Sequence, residues 1–425
     1  MEELMQYVWR HRLWLAGDMR TVDGRSVAVI DVGQLNRDAG PDFFNAKVKV
    51  GDEMWCGNVE IHVRASDWFR HGHDRDRAYD TVILHVVQFD DCAIQTPSGR
   101  TIPQVVMPCA RNFAERYGEF INNHANALAC ASELRHISPV LVRDWLDSLG
   151  FERLYAKVGT INERLQRSAG DWEQTAFITL ARALGAGING DAFERTATSL
   201  PLRILRKHSD SLLTLEAMIF GQSGLLTDAP AGPYVDRLRS EYDFMRTKFG
   251  LHAPESIVWR MSRMRPASFP HRRLAVLAHM AFGGFQLMQQ ILDCRDEEDA
   301  RRLFRFDLAG YWALNFNFSG AGHGRPTALG AATVDMLVIN VVAPLLMAYG
   351  QQTGDDRLAD RAIDILEHLP GEHNRFTSDF VNAGVPCSNA FISQAMVQAR
   401  RAYCDVRKCL YCRLGHRILA SKVRP

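Results

Sequence analysis

The chain has 425 residues, a length that predicts about two or three domains of ordinary size. Hydrophobic residues make up 47% and charged residues 23%, the proportions of a typical globular protein. The formal net charge is only +1, which excludes a basic field over the whole molecule, so any surface for nucleic acid must be local.

The start of the chain and its apolar runs predict a cytoplasmic protein without a membrane span. Residues 1–6 are acidic and lack the basic and apolar regions of a secretory leader. The most apolar run, 336–349, has about 14 residues, fewer than the roughly 20 that a span requires. Asn340 and Pro344 within it predict a buried, kinked helix. Nine cysteines in a reducing compartment are expected to be free or to bind a metal or a cluster.

Residues 1–115 carry mostly β signals after one amphipathic helix. Strands are indicated by alternating apolar and polar residues or by short apolar runs, and turns by Gly, Pro and Asp. The predicted elements are a helix at 2–15, strands at 26–32, 43–51 and 58–63, a short helix after 66, a strand at 81–89 and a hairpin at 93–107.

Residues 116–425 are predicted to be almost entirely helical. Ser138 and Pro139 are typical of the start of a helix, and Gly150 is typical of its end. The sequence therefore predicts an α+β protein in two parts, 1–115 and 116–425. Further helical periodicity covers 154–165, 174–184, 212–220, 272–292 and 393–403.

Three residues of the β region have the chemistry of a metal-dependent phosphodiesterase. Asp42 precedes one predicted strand, and Glu60 and His62 share one face of the next. Two carboxylates on adjacent strands suit Mg²⁺ or Mn²⁺, and His62 is placed for proton transfer or charge stabilisation. Glu3 in the first helix is a further candidate ligand. The alternative is that Asp42 caps a turn while Glu60 and His62 face solvent.

A group of histidines follows these residues. His71 and His73 lie in a polar loop, and His85 lies within the apolar strand at 81–89. Together with His62 they could form the site of a zinc hydrolase acting on a small molecule, because three protein ligands leave a position open for water. They could equally contact phosphates, or be ordinary loop and core residues.

Cysteines are concentrated near the end of the chain, in 387–412. Cys404, Cys409 and Cys412 have the spacing C-x4-C-x2-C, and the fourth ligand is open between Cys387 and His416. Thiolates grouped in this way suit an iron–sulfur cluster such as [4Fe–4S] or a structural zinc ion. The alternative is that they are free cysteines that pack as small apolar residues.

Two local basic segments are candidates for binding DNA or other nucleic acid. Residues 397–425 contain eight Lys and Arg against one acid, and a second stretch places Trp259 and Phe269 among arginines. Such segments could neutralise phosphates, and aromatic rings could stack on bases. The alternative is that the arginines pair with acids on neighbouring helices. The arginines of the second stretch are Arg260, Arg263, Arg265, Arg272 and Arg273.

The order helix, three strands, helix, strand, with Pro41-Asp42 before one strand and Glu60-Ile61-His62 on the next, resembles the PD-(D/E)XK nuclease superfamily. The resemblance covers about a quarter of the chain and implies an αβββαβ core. It implies that Asp42 and Glu60 bind the metal and that His62 replaces the superfamily's lysine. Some of these nucleases carry an iron–sulfur cluster that staples the domain.

Several short runs are spread along nearly the whole chain: 36–43, 57–62, 66–68, 71–73, 84–87, 265–270 and the cysteines at 404, 409 and 412. Together they look like the bacterial domain-of-unknown-function 2851 family. The name of that family states no activity, so the functional prediction rests on the residues.

We expect metal-assisted hydrolysis of nucleic-acid phosphodiesters, with DNA favoured over RNA. The alternatives are a non-catalytic nucleic-acid-binding or scaffold protein and the zinc hydrolase.

Overall fold

The computed structural model describes residues 1–14, 19–36, 38–107, 111–122, 127–255, 257–262, 264, 268–320 and 327–420. The chain divides into two compact units. The first unit contains Met1–Trp145 and the segment from Arg400 onward, and the second contains Leu146–Ala399. The N-terminal part of the first unit thus extends past residue 115, to Trp145. The C-terminal segment belongs to the first unit because Leu410, Ile418 and Leu419 pack in the same core as the strands.

The first unit combines a six-stranded mixed sheet with helices. Its last element is a C-terminal helix, Arg413–Ala420. The predicted hairpin at 93–107 is present at the turn around residues 97–99, where Gln95 pairs antiparallel with Thr101, and its last part forms a short strand, Gln104–Val106. The other elements are α1 (Glu2–Arg10), β1 (Val27–Asp31), β2 (Gln34–Leu35), β3 (Phe43–Val50), β4 (Glu53–Arg64), α2 (Asp67–Arg70), β5 (Val82–Phe89), β6 (Gln104–Val106), α3 (Arg111–Asn122) and α4 (Ala131–Leu134).

The sheet changes from antiparallel to parallel at β4. The strand order is β1-β3-β4-β5-β6, with β2 paired to β3. The β1–β3 and β3–β4 pairs are antiparallel, and the β4–β5 and β5–β6 pairs are parallel. A parallel pair needs a crossover connection, and here that connection contains α2. The middle strand β4 therefore lies between the hairpin partner β3 and the crossover partner β5.

The two faces of β4 carry different chemistry, as its alternating sequence predicts. Val59 and Ile61 are fully buried in a core that includes Leu4 and Trp9 of α1. Glu60 on the other face is only 4% exposed, and it is not part of that apolar core. Alternation along the strand therefore places polar side chains in a buried position where the apolar core does not reach them.

Gly57 marks the place where β5 begins to run beside β4. A Cβ at this position would lie 2.4 Å from Cγ2 of Ile83 and 2.8 Å from the carbonyl oxygen of Thr81. Because a backbone oxygen cannot move aside cheaply, we expect Gly57→Ala to lower the free energy of unfolding by about 1–3 kcal/mol. Thermal unfolding of the variant and the unaltered protein measures this difference.

Gly159→Ala is the matched control for Gly57→Ala. Gly159 lies inside a helix, and nothing lies within 4 Å of a Cβ built on it. Alanine is favoured over glycine in a helix by about 0.5–1 kcal/mol, so this variant should unfold at a higher temperature. Equal melting temperatures for the two variants would contradict the predicted contact at Gly57.

The second unit is helical. Several of its helices begin with a polar residue whose side chain accepts a hydrogen bond from the first turn, as Asp171 does from the backbone N–H of Gln174. The helices are α5 (Pro139–Arg167, which begins in the first unit), α6 (Trp172–Leu184), α7 (Gly190–Thr198), α8 (Leu202–Arg206), α9 (Leu212–Gln222), α10 (Pro233–Phe249), α11 (Pro270–Ala281), α12 (Leu287–Asp293), α13 (Glu297–Arg302), α14 (Ala331–Leu337), α15 (Ala343–Thr353), α16 (Asp356–His368), α17 (Arg375–Asn382) and α18 (Ala390–Ala399).

Two predictions about these helices were wrong, one made from a glycine and one made from helical periodicity. Helix α5 does not end at Gly150 but continues to Arg167. Gly150 instead allows a close approach, because a Cβ there would lie 2.5 Å from the Phe391 ring. The helix predicted at 272–292 is divided into α11 and α12, because Gly283 and Gly284 both have positive φ values, 81° and 104°.

The apolar run at 336–349 lies in one continuous helical stretch, Ala331–Thr353. Its length and composition would allow a membrane span, but 67% of its most apolar window is buried inside the protein, as in a core helix. The stretch passes through a π-helical turn, Val338–Val342, before Pro344. Proline has no N–H to give to the preceding turn, which accounts for the wider turn at this point.

Glu216 of α9 lies in a buried hydrogen-bond chain of the second unit. Its carboxylate accepts a bond of 2.9 Å from the Tyr234 hydroxyl, which accepts one of 2.8 Å from Trp312 Nε1. Burial raises the pKa of Glu216 to about 7. Because the pKa is higher in the folded state than its ordinary value of 4.5, the stability that this group contributes is present below pH 4.5 and is lost as the pH rises to about 7.

Glu216→Gln removes this titration while keeping an acceptor for Tyr234. Relative to the unaltered protein, we expect the free energy of unfolding of the variant to rise by on the order of 3 kcal/mol between pH 4.5 and 7. Urea unfolding at a series of pH values measures this difference. A difference that stays constant with pH would show that Glu216 is not buried as a charged group.

Candidate metal centre

Asp42 and Glu60 are tied to each other by two backbone hydrogen bonds. The Asp42 N–H donates to Glu60 Oε2 at 3.0 Å, and Asp42 Oδ2 accepts from the Ile61 N–H at 2.9 Å. Gln6 of α1 donates to the other oxygen, Asp42 Oδ1, at 2.9 Å. The Asp42 carboxylate therefore bonds to the neighbouring strand β4 and to α1. The start of β3 and the middle of β4 hold the two acids together.

Both acids resist ionisation in this environment. Burial, and then the nearby Glu60 carboxylate, raise the pKa of Asp42 to about 8. Burial raises the pKa of Glu60 to about 8, and the charge of Glu2 adds to this effect. Two adjacent buried carboxylates with raised pKa values could hold a divalent cation, because the cation would compensate their charges.

Glu2, rather than Glu3, is the acid of α1 that faces this pair. Its charge acts on Asp42, Glu60 and His73. Gln6 lies one helical turn later, on the same side of α1, and bonds to Asp42. Glu3 instead acts on Tyr117. Sequence reasoning missed Glu2, although the spacing from Glu2 to Gln6 is a signal that could have found it.

Gln104 of β6 fixes the protonation pattern of the histidines behind the acids. Its side-chain NH₂ donates to Asp90 Oδ1 and to the Cys92 carbonyl oxygen. Both hydrogens of the amide are therefore donated, and the amide oxygen Oε1 can only accept a hydrogen bond. Oε1 lies 3.2 Å from His85 Nδ1. His85 therefore carries its proton on Nδ1, and its Nε2 is an acceptor.

The same pattern continues from His85 to His62. His62 Nδ1 lies 2.9 Å from His85 Nε2, so His62 donates from Nδ1 and keeps a lone pair on Nε2. That Nε2 lies 3.2 Å from His71 Nδ1 and 3.5 Å from Glu60 Oε1. A nitrogen lone pair and a carboxylate oxygen are thus held beside one another, which is the arrangement of two ligands that share a cation.

His62 is neutral in this setting. Burial, followed by the neighbouring His85, His73 and His71, lowers the pKa of His62 to about 2. It therefore does not supply the positive charge that a lysine would supply at this position. Its Nε2 is instead available to a metal.

His73 completes the group from the loop after α2. Its Nε2 lies 3.1 Å from Glu60 Oε1, and its ring stacks on Tyr79 with ring centres 3.8 Å apart. One nitrogen from each of His62, His71 and His73 can be chosen so that all three lie within 4.8 Å of one another. The structure thus brings three of the four predicted histidines together and places His85 behind them, against Gln104.

The predicted cysteine ligands belong to different units of the chain. Cys404, Cys409 and Cys412 belong to the first unit, whereas Cys387 belongs to the second and lies beside Gly371 and Glu372. His416, the other candidate for the fourth ligand, bonds through Nδ1 to the Tyr7 hydroxyl. Within the first unit, Cys130 interacts electrostatically with Cys404, Cys409 and Cys412.

The two basic segments differ in their surroundings. Arg272 and Arg273 are 6% and 7% exposed, and Arg272 donates to the Trp312 carbonyl oxygen. The C-terminal segment instead contributes to a cavity of about 410 Å³ in the first unit. Arg263, Arg265, Lys422 and Arg424 lie outside the described residues. The charged and imidazole residues of the cavity are Arg10, His11, Arg413, His416 and Arg417.

These features define a mixed α+β protein whose N-terminal sheet carries a buried cluster of carboxylates and imidazoles. The chain belongs to the family described as "Protein of unknown function (DUF2851)", whose model matches residues 2–375. The matched range includes the whole cluster and ends before Cys404. Searches of curated proteins and of solved structures gave no match.

Proposed function

We propose that the protein is a metal-dependent nuclease that hydrolyses phosphodiester bonds of nucleic acid, with DNA favoured over RNA. One observation carries the proposal: Asp42, Glu60 and the Nε2 lone pair of His62 converge beside the middle strand of the sheet. The order α1, three main strands, α2 and β5, with β5 parallel to β4, also supports the resemblance to PD-(D/E)XK nucleases.

The ligand set favours Mn²⁺ over Mg²⁺. Carboxylate oxygens from Asp42 and Glu60 suit both ions, but imidazole nitrogens are ligands that Mg²⁺ rarely takes. His62 is oriented by the chain through His85 to Gln104, as metal-binding histidines commonly are by a hydrogen bond on their other nitrogen. The residues present therefore fit a transition-metal ion with mixed oxygen and nitrogen ligands.

A bound divalent ion supplies polarisation of a phosphoryl oxygen and lowers the pKa of a water molecule. Asp42 and Glu60 hold the negative charge that retains the cation. His71 is exposed, unlike the fully buried His62, so we assign to His71 the transfer of the water's proton. We assign to Glu2 and His73, which act electrostatically on the acids or contact them, the orientation of water in the site.

The cavity lined by Arg10, Arg413 and Arg417 is the proposed contact for the nucleic-acid backbone. Helix α1 connects it to the metal ligands, since Glu2 and Gln6 face the acids and Arg10 lines the cavity. The rise of a helix places Glu2 and Arg10 about 12 Å apart along the axis, a distance of a few nucleotides. Binding should therefore weaken as salt concentration rises.

A cleavage assay tests the proposal. The full chain is incubated with single-stranded DNA, double-stranded DNA and RNA, each with Mn²⁺, Mg²⁺, Zn²⁺ or EDTA. We expect cleavage that requires the metal and is fastest with Mn²⁺. Binding of DNA without cleavage under any of these conditions would instead favour the scaffold alternative.

A zinc hydrolase acting on a small molecule is the second candidate, favoured by the three ring nitrogens of His62, His71 and His73. The two candidates differ in the residues on which they depend. A zinc site of this kind needs His73 but not Asp42, whereas the nuclease needs Asp42. Loss of one bound zinc per chain in His73→Ala but not in Asp42→Asn would establish the second candidate.

A further inference from the structure

Four cysteines of the first unit come from two distant segments of the chain. Cys130 immediately precedes α4, whereas Cys404, Cys409 and Cys412 follow the return of the chain from the second unit. The chain leaves the first unit after Trp145 and enters it again at Arg400. Cys130 thus lies shortly before the last residue of the first segment of this unit, and the other three cysteines lie shortly after the first residue of its second segment.

These cysteines are neighbours in space. The Cys404 thiol interacts electrostatically with those of Cys130, Cys412 and Cys409. The Cys130 thiol interacts in turn with those of Cys412 and Cys409. Cys130 and Cys409 also pack against the same apolar core. None of the four forms a disulfide, and Cys412 is 9% exposed.

The surroundings suit thiolate ligands. The backbone N–H groups of Leu414 and Gly415, at the start of the C-terminal helix, bond to the Cys412 sulfur. A Cβ on Gly415 would lie 2.1 Å from the Cys409 carbonyl oxygen, so only glycine permits this close approach. The positive charge of Arg407 acts on Cys130 and Cys409. N–H groups and a cation near the sulfurs stabilise a negatively charged thiolate site.

The spacing of the cysteines along the chain favours an iron–sulfur cluster over a single zinc ion. Cys404, Cys409 and Cys412 have the spacing C-x4-C-x2-C, and Cys130 is a distant fourth cysteine. Three cysteines spaced in this way, together with a distant fourth, are a ligand pattern of iron–sulfur proteins.

We propose that the first unit binds a [4Fe–4S] cluster through Cys130, Cys404, Cys409 and Cys412. The cluster enters preformed, from a carrier that holds it by thiolates. Four bonds from iron to the carrier's thiolates break, four bonds to the cysteines of the protein form, the four cysteine protons pass to the departing thiolates and no electron is transferred. It ties the C-terminal segment to the segment before α4. This site does not depend on the proposed nuclease activity.

Metal analysis of the full chain, purified without oxygen, tests the proposal. We expect about four iron and four sulfide per chain and absorbance near about 400 nm. Cys130→Ser should keep less than about a fifth of the iron, because a ligand is lost. Cys387→Ser is the matched control and should keep all of it. Asp42→Asn should also keep the cluster, which separates this test from that of the nuclease.

A second measurement uses the unaltered protein and so does not depend on the folding of a variant. Native protein is alkylated, unfolded and alkylated with a second reagent, and its peptides are analysed by mass spectrometry. The four proposed ligands should be protected in the native protein, while the exposed Cys56 reacts. Zinc without iron or sulfide, no bound metal, or loss of iron in Cys387→Ser rather than Cys130→Ser would each overturn the proposal.

Discussion

Glu60→Gln should reduce metal-dependent cleavage by more than about 100-fold, since even loss of a residue that only orients a metal ligand reduces activity 10–100-fold. Glutamine keeps an oxygen for the Asp42 N–H but removes the charge that retains the cation. Cleavage rates with Mn²⁺ and binding of Mn²⁺ measured by calorimetry should both show the loss. Asp42→Asn should behave in the same way.

The same variant should unfold no more easily than the unaltered protein without metal. Burial raises the pKa of Glu60 to about 8, so its charged form is unfavourable in the folded state and the neutral amide relieves that cost. If Glu60→Gln loses activity but is as stable as the unaltered protein or more stable, the Glu60 carboxylate serves function rather than stability. A large fall in melting temperature would mean that the lost activity reflects misfolding.

Glu53→Gln is the matched control for this experiment. It is the same substitution on the same strand, but Glu53 is exposed and bonds to Trp55 Nε1. Its cleavage rate and metal affinity should equal those of the unaltered protein. An equal loss in both variants would show that the effect does not depend on the site.

The predictable part of the site depends on local sequence. Alternation along β4 predicts that Glu60 and His62 share a face, because a strand has a period of two. The position of Asp42 follows from the hairpin that joins β3 to β4. These residues are close in the chain, so their relative positions require no knowledge of the rest of the fold.

The unpredicted part depends on contacts between distant segments. The choice of Glu2 over Glu3 depends on which side of α1 faces the sheet. The position of Cys130 depends on the return of the chain at Arg400, after the whole second unit. The sequence also does not indicate that the C-terminal segment joins the first unit, whose core includes Leu410 and Leu419. Local periodicity contains no information about such pairings.

Gln104→Leu should weaken metal binding about 10–100-fold. Gln104 does not touch the proposed ligand His62 itself but is connected to it by hydrogen bonds through His85. Leucine removes the acceptor for His85 Nδ1, so His85 is free to change the position of its proton. His62 would then no longer be required to keep its lone pair on Nε2. Calorimetric titration with Mn²⁺ measures the affinity, and the cleavage rate at saturating metal should change less than the affinity.

Gln104→Glu combined with Asp90→Asn provides the rescue. In the unaltered protein the Gln104 amide donates to the Asp90 carboxylate. The double variant exchanges donor and acceptor across this contact and keeps an acceptor for His85 Nδ1. Its carboxylate can no longer donate to the Cys92 carbonyl oxygen, so the variant should be less stable than the unaltered protein. Its metal affinity should be close to that of the unaltered protein, because the orientation of His62 is retained. If Gln104→Leu bound Mn²⁺ normally, or if the double variant bound it as weakly as Gln104→Leu, Gln104 would have only a structural role in β6.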